Sequence, residues 1–159
     1  MNANPLLQFD ALPDFAAIQP AHVSPAIDQL VADAEAALER AVGPEVAADY
    51  DALSAVLDVA TERLGRAWGT VSHLHSVADT PELRAAFNDN LPKVTAFHTK
   101  LGADERLFAK YRAVMAASSA QQLGRARQRA LENALRDFKL SGAELEGATK
   151  ERFSRVLEA

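Results

Sequence analysis

Cysteine is absent from this 159-residue sequence, and aromatic residues make up only 6% of it. The missing cysteine excludes a disulfide framework, thiolate metal sites and thiol catalysis, and it suits a reducing compartment. No stretch approaches the roughly 20 apolar residues that a membrane span requires. Residues 1–5 lack the basic region and apolar run of a signal peptide. We therefore expect a cytoplasmic protein that does not insert into membranes.

Hydrophobic residues form 48% of the chain and charged residues 25%, as in globular proteins. The apolar content consists mainly of Ala, Leu and Val, which favours packed helices over a β-sandwich. Residues 1–60 contain ten acids and one base, whereas residues 61–159 contain twelve acids and sixteen bases; the balances of -9 and +4 sum to the net charge of -5. This uneven charge distribution is explained by an acidic and a basic face that meet different partners. It is also explained by two halves that dock on each other, or by charges that are simply solvated.

Apolar periodicity predicts an all-α bundle of about six helices behind a proline-rich extended arm. The arm comprises residues 1–23 and is expected to pack on the body through apolar anchors between its prolines: Leu6, Leu7, Phe9, Leu12, Phe15 and Ile18. Ser24-Pro25, Thr80-Pro81 and Asp104 read as helix starts. Gly43-Pro44, Gly102 and Ser141-Gly142 read as helix stops, and Ser118-Ser119 as a break.

Three features inside the predicted helices carry specific expectations. Pro92 predicts a kink or break near residues 88–90. Gly65 and Gly69 flank Trp68, which suggests close approach of a neighbouring backbone or a bend, with Trp68 itself in the core. The last helix carries Phe153, Val156 and Leu157 and reaches Ala159 without a stop signal, so we expect a truncated domain that is marginally stable or self-associates in isolation.

No catalytic constellation is found. The four histidines are His22, His73, His75 and His98, and no two have the i, i+4 spacing that brings two zinc ligands together on one helix. His75 and Asp79 have that spacing, but two ligands do not make a site. The sequence contains no Gly-x-Ser-x-Gly elbow and no glycine-rich phosphate loop. We therefore predict no catalytic, cofactor-binding or metal-binding residue within this chain.

Nucleic-acid binding is also not expected. One helix carries several bases, namely Arg125, Arg127, Arg129 and Arg136. Acids are interspersed with these arginines, and exposed aromatic residues that would stack on bases are missing. A solvated or docking face explains the arginines better.

Several segments, in order, resemble the N-terminal region of the thimet oligopeptidase family of zinc metallopeptidases. They are Asn4-Pro5-Leu6-Leu7, Leu12-Pro13 through Pro20-Ala21-His22-Val23, Pro25-Ala26, Val71-Ser72-His73-Leu74, Pro81-Glu82-Leu83-Arg84 with Leu91-Pro92, and Asn133-Ala134-Leu135-Arg136-Asp137-Phe138 with Leu140-Ser141-Gly142. Their order and spacing cover nearly the whole chain.

The resemblance implies that residues 24–159 are the helical N-terminal domain of a larger, cytoplasmic peptidase that hydrolyses short peptides. It implies that this domain forms one wall of the substrate channel. It also implies that zinc binds to a His-Glu-x-x-His helix beyond Ala159, so that this chain alone is inactive. Its partners would then be the rest of the parent chain and short peptides. The alternative is a free-standing helical module that binds a protein partner and has no catalytic activity.

Overall fold

The computed structural model describes residues 4–117, 122–145 and 147–157; within the last range nothing is said of the side chains of Lys150, Ser154 and Leu157. These residues form helices and no strand, which confirms the predicted all-α fold. After a 3-10 turn at Pro5–Leu7 come α1 (Pro20–Val42), α2 (Tyr50–Val77), α3 (Pro81–Gly102), α4 (Glu105–Ala116), α5 (Arg125–Leu140) and α6 (Gly147–Leu157). The predicted break at Ser118-Ser119 and the predicted truncation at Ala159 lie outside the described residues.

The fold consists of two compact units. The first contains the described residues of 1–36 together with 58–94, and the second contains 37–57 together with those of 95–159. Long helices α1, α2 and α3 therefore contribute a segment to each unit.

In the first unit, the core is built from one stripe of each long helix. Its fully buried side chains recur every three or four residues, as an amphipathic helix requires: Val23, Ala26, Ile27, Leu30 and Ala34 on α1, and Leu64, Ala67 and Val71 on α2. Leu83 and Val94 on α3 are also buried.

The N-terminal arm is held on the first unit by polar contacts as well as by Leu6, which is only 4% exposed. The Asn4 side-chain amide donates to the carbonyl of His22 at 2.8 Å. The Arg66 guanidinium donates to the carbonyls of Phe9, at 3.1 Å, and Ala11. The gap left between the arm and α2 is about 10 Å³, the least that a water molecule needs, so the arm is closely packed there. Leu12 is 90% exposed, so its predicted role as an anchor is wrong.

Helix α1 begins at Pro20, earlier than the predicted start at Ser24-Pro25. Pro20 occupies the first helical position, where its missing N–H costs nothing. The Gln19 N–H donates to His22 Nδ1 at 3.0 Å, and the His22 N–H donates to the Gln19 carbonyl at 2.9 Å. This reciprocal pair stabilises the first turn like a capping box. Pro25 lies inside the helix and forfeits only the bond to the Ala21 carbonyl.

Helix α3 is continuous through Pro92, so of the predicted kink or break the break is wrong, and the kink stays a prediction. Asn90, two residues before the proline, is completely buried, and Val94, two residues after it, is 3% exposed. The Asn90 amide donates to Ser24 Oγ at 2.8 Å and to the Ala86 carbonyl at 2.7 Å. Packing on both sides of Pro92 compensates for the single bond to the Asn88 carbonyl that proline removes.

The core of the second unit brings together α4, α5 and the adjoining parts of α1 and α2. Its buried members are Leu38, Ala41, Leu53, Leu57, Leu107, Phe108, Val114, Leu131, Phe138 and Ala143. The rings of Phe108 and Phe138 lie 5.7 Å apart between centroids, and Tyr111 packs on Phe138 at 5.4 Å. Asp104 caps α4 as predicted. Gly142, with φ of +84°, ends the turn after α5, a conformation that favours glycine.

Candidate functional site

The histidines, the strongest metal-ligand candidates in this chain, lie in separate surroundings. His22 is engaged in the start of α1. His73 meets the Phe15 ring edge-on at 5.5 Å between centroids. His98 lies at the edge of the Phe97 ring, also at 5.5 Å, and desolvation lowers its pKa below the ordinary value.

His75 and Asp79 approach each other on one face of α2 and the turn that follows it. His75 Nε2 lies 3.8 Å from Asp79 Oδ1. The other Asp79 oxygen is occupied by an ion pair with the Arg84 guanidinium.

The described residues do not fit a zinc ion. Within residues 4–117, 122–145 and 147–157, no group of three or more His, Cys, Asp or Glu side chains is placed to hold a metal. Zinc needs at least three protein donors in a catalytic site.

An aromatic stack, which the sequence analysis missed, lies in the first unit. The Phe87 ring of α3 is sandwiched between two rings of α2: Trp68 at 4.8 Å between centroids and 15° between planes, and His75 at 4.3 Å and 5°. All three side chains are half-buried. Trp68 therefore belongs to a stack that remains partly open to solvent rather than to the fully buried core.

The glycines on either side of Trp68 face open space rather than a closely packed neighbour. A Cβ atom built on Gly65 or Gly69 would have no atom of the described structure within 4 Å, helix backbone and sequence neighbours apart. The predicted close approach of a neighbouring backbone is therefore wrong at both positions.

Charged side chains in the second unit form a compact network. The Arg106 guanidinium donates to both carboxylate oxygens of Glu39 at 2.9 Å, and to Asp104 Oδ2 at 2.7 Å. Hydrogen bonds from Arg106 lower the pKa of Glu39. Burial raises the pKa of Asp104, but its hydrogen bonds from Arg106 and Leu107 outweigh this and the pKa lies below the ordinary value. The two carboxylates raise the pKa of Arg106, so all three groups stay ionised at neutral pH.

A cleft of about 420 Å³ opens between α4 and α5 in the second unit. Its lining combines apolar and charged side chains: Phe108, Arg112, Met115, Ala116, Leu135, Lys139 and Glu144. We call this set the α4–α5 cleft. Its volume falls within the range of small-ligand sites in proteins, about 300–1,000 Å³.

The profile of the family described as the neurolysin/thimet oligopeptidase N-terminal domain matches residues 27–150. The chain belongs to this family. Oligopeptidase A of Salmonella typhimurium is 38% identical over 153 residues, which cover 96% of this chain and 22% of that protein. The corresponding proteins of Escherichia coli and Haemophilus influenzae are 36% identical over 153 residues and 33% identical over 155 residues; the alignments cover 96% and 98% of this chain.

This member of the neurolysin/thimet oligopeptidase family spans about a fifth of the length of these relatives, 22% of the Salmonella protein and 23% of the Haemophilus protein. It corresponds to their N-terminal region, which confirms the resemblance seen in the sequence. No helix among the described residues is long and apolar enough to cross a membrane.

The aromatic stack and the α4–α5 cleft were not predicted from the sequence, although the helical period indicates part of each. Trp68 and His75 are seven residues apart on α2, so they share a face. Phe108, Arg112 and Met115 share a face of α4 in the same way, and so do Leu135 and Lys139 of α5. The sequence does not show which helices pack together. It therefore could not indicate that Phe87 of α3 meets the face of α2 that carries Trp68 and His75, or that α5 lies beside the face of α4 that lines the cleft.

Proposed function

We propose that this chain forms the helical N-terminal part of a zinc-dependent oligopeptidase that hydrolyses short peptides. In this proposal it contributes one wall of the substrate channel and supplies no catalytic group. The observation that carries the proposal is the match to the N-terminal domain of the family over residues 27–150, together with relatives named oligopeptidase A along nearly the whole chain.

Zinc belongs, in this proposal, to residues beyond Ala159. The described part of the chain offers no three-donor group, and activation of water by zinc needs such a group. The remaining partners are the rest of the parent chain and the short peptides in its channel. The compartment is the cytoplasm, which fractionation of cells producing the protein would test.

A peptidase assay on the purified 159-residue chain tests its inactivity. We expect no cleavage of a mixture of unfolded peptides of about ten residues, with or without added zinc, and no stoichiometric zinc binding by calorimetry at micromolar protein. Cleavage that a chelator abolishes and zinc restores would overturn this part of the proposal.

The coding sequence downstream of Ala159 tests the parent enzyme. We expect an open reading frame that encodes His-Glu-x-x-His, and we expect the longer protein to cleave peptides until the glutamate of that motif is replaced by glutamine. A stop codon directly after Ala159 would overturn the proposal and favour the free-standing helical module.

A further inference from the structure

The α4–α5 cleft has the chemistry of a site for one end of a peptide. We propose that it binds the C-terminal residue of a short peptide, with an apolar side chain inside the cleft and the terminal carboxylate at Arg112. The inference deepens the proposed function and rests on it for the supply of short peptides.

The floor of the cleft is apolar and well positioned. Phe108 is only 6% exposed, and its ring is fixed by the neighbouring ring of Phe138. Met115 and Leu135 are half-buried members of the same core and form the adjacent surface. Methionine adapts its shape to different apolar groups, so the floor suits Leu, Met or Phe side chains. A volume of about 420 Å³ is near the lower end for ligand sites, enough for one or two residues.

The rim of the cleft has an excess of positive charge. Lys139 Nζ lies 3.4 Å from Glu144 Oε1, so these two charges largely offset each other. Arg112 carries its guanidinium carbon 5.8 Å from the centroid of the Phe108 ring. Among the residues that the structure describes, no carboxylate forms an ion pair with Arg112. A ligand that places a carboxylate beside the apolar floor would supply the missing anion, in the planar geometry that arginine binds best.

Glu144 distinguishes a peptide from a fatty acid. Its carboxylate adds a hydrogen-bond acceptor at the same rim. The last residue of a peptide has an apolar side chain, a carboxylate and a backbone N–H, and the N–H would donate to this acceptor. A fatty acid offers the first two groups and no donor.

Binding is measured on the purified 159-residue chain by titrating its ¹⁵N-labelled amide spectrum. The probes are N-acetyl-Ala-Leu with a free carboxylate, the same dipeptide as its C-terminal amide, and octanoate. We expect saturable shifts near Arg112, Met115 and Lys139 with the free acid. The loss of a charge-assisted hydrogen bond should weaken the amide about tenfold.

Variants test each element of the rim. Arg112→Gln should weaken the free acid about tenfold and leave the amide unchanged, and Arg112→Lys should restore part of the loss. Glu144→Gln should reduce the preference for N-acetyl-Ala-Leu over octanoate, because a neutral amide oxygen is a weaker acceptor for the peptide N–H, whereas the release of Lys139 from its pair with Glu144 favours both carboxylates alike. Arg129→Gln is the matched control: this exposed arginine of α5 pairs with Glu132 at 3.1 Å and does not line the cleft.

Equal affinity for acid and amide, octanoate binding as tight as that of the peptide, or shifts confined to other residues would each overturn the inference. Because the readout is binding to this chain, a negative result leaves the proposed peptidase function standing. A stop codon after Ala159 would remove that function without changing the titration.

Discussion

Asp104 shows at the scale of one residue how a helix cap and an ion pair are combined. Its Oδ1 accepts the backbone N–H groups of Arg106, at 2.9 Å, and Leu107, at 3.1 Å. The Arg106 guanidinium binds the same carboxylate, whose side chain is only 8% exposed. The carboxylate therefore serves the first turn of α4 and the charged network of the second unit at once.

We expect Asp104→Ala to lower the free energy of unfolding by about 1 kcal/mol, the usual cost of losing an N-cap. Asp104→Asn should lose less, because asparagine caps as well as aspartate but carries no charge for Arg106. Urea unfolding at pH 7 measures both differences. Equal losses in the two variants would contradict the separate role of the cap.

The pH dependence follows from the lowered pKa of Asp104. Because the folded-state pKa lies below the unfolded value of about 3.9, the charge stabilises the fold above that pH and its contribution is lost as the pH falls further. Between pH 7 and pH 2.5 the wild type should therefore lose more stability than Asp104→Asn. A difference of zero would show that another carboxylate causes the acid sensitivity.

Helices are the scale at which the sequence was most informative. Apolar residues at helical spacing are buried on α2 (Leu53, Leu57, Leu64, Ala67 and Val71), α4 (Leu107, Phe108 and Val114) and α5 (Leu131 and Phe138). Their positions, like the predicted caps at Thr80 and Asp104, depend only on nearby residues and on a period of 3.6. In α3 the helical spacing of Leu83, Leu91 and Val94 favours all three for the core, whereas Leu91 is 41% exposed and the polar Asn90 is buried. Ser24, which accepts a hydrogen bond from the Asn90 side-chain NH2 group, is 66 residues away, and such a pairing cannot be seen in local periodicity.

Gly65 and Gly69 are exposed positions in the middle of α2. A new Cβ would meet no atom within 4 Å, apart from the helix backbone and sequence neighbours. Gly65→Ala and Gly69→Ala should therefore each raise the free energy of unfolding by about 0.5–1 kcal/mol, since alanine loses less conformational entropy in a helix. Thermal and urea unfolding measure the gain.

Gly142→Ala is the contrasting control. The backbone there has φ of +84°, and a Cβ would lie 2.9 Å from Cδ1 of Phe153. We expect a loss of about 1 kcal/mol or more, because alanine is strained in this conformation and the ring must move. Destabilisation by the α2 substitutions would show that those positions are packed in solution.

At the scale of the whole molecule, ion pairs inside each of the two units partly neutralise the excess of acids in residues 1–60. In the first unit Asp28 pairs with Lys93. In the second, Glu39 pairs with Arg106 and Asp51 with Arg127, both at 2.9 Å. Acids of the first 60 residues thus meet bases from the rest of the chain, in line with the view that the halves pair with each other. Exposed pairs of this kind contribute little to stability, because water and salt screen them.

Self-association is the prediction that belongs to the whole chain. Leu140 at the end of α5 and Val156 in α6 are each 69% exposed. Apolar side chains that remain in water favour association between copies. We expect the sedimentation coefficient to rise with protein concentration and the double variant Leu140→Glu/Val156→Glu to suppress that rise.

Leu12→Glu is the control for charge alone, because Leu12 is 90% exposed but lies in the N-terminal arm. It should leave the association unchanged. A monomer at every concentration would contradict the prediction, and equal suppression by Leu12→Glu would assign the association to the arm.

The reciprocal bonds at the start of α1 also restrict the chemistry of His22. Since Nδ1 accepts the Gln19 N–H, its lone pair is committed and the proton of the neutral imidazole sits on Nε2. Neither ring nitrogen is then available as an electron-pair donor. A metal ion could bind Nε2 only if the imidazole proton moved to Nδ1. Nδ1 could then no longer accept the Gln19 N–H, so the first turn of α1 would lose this bond.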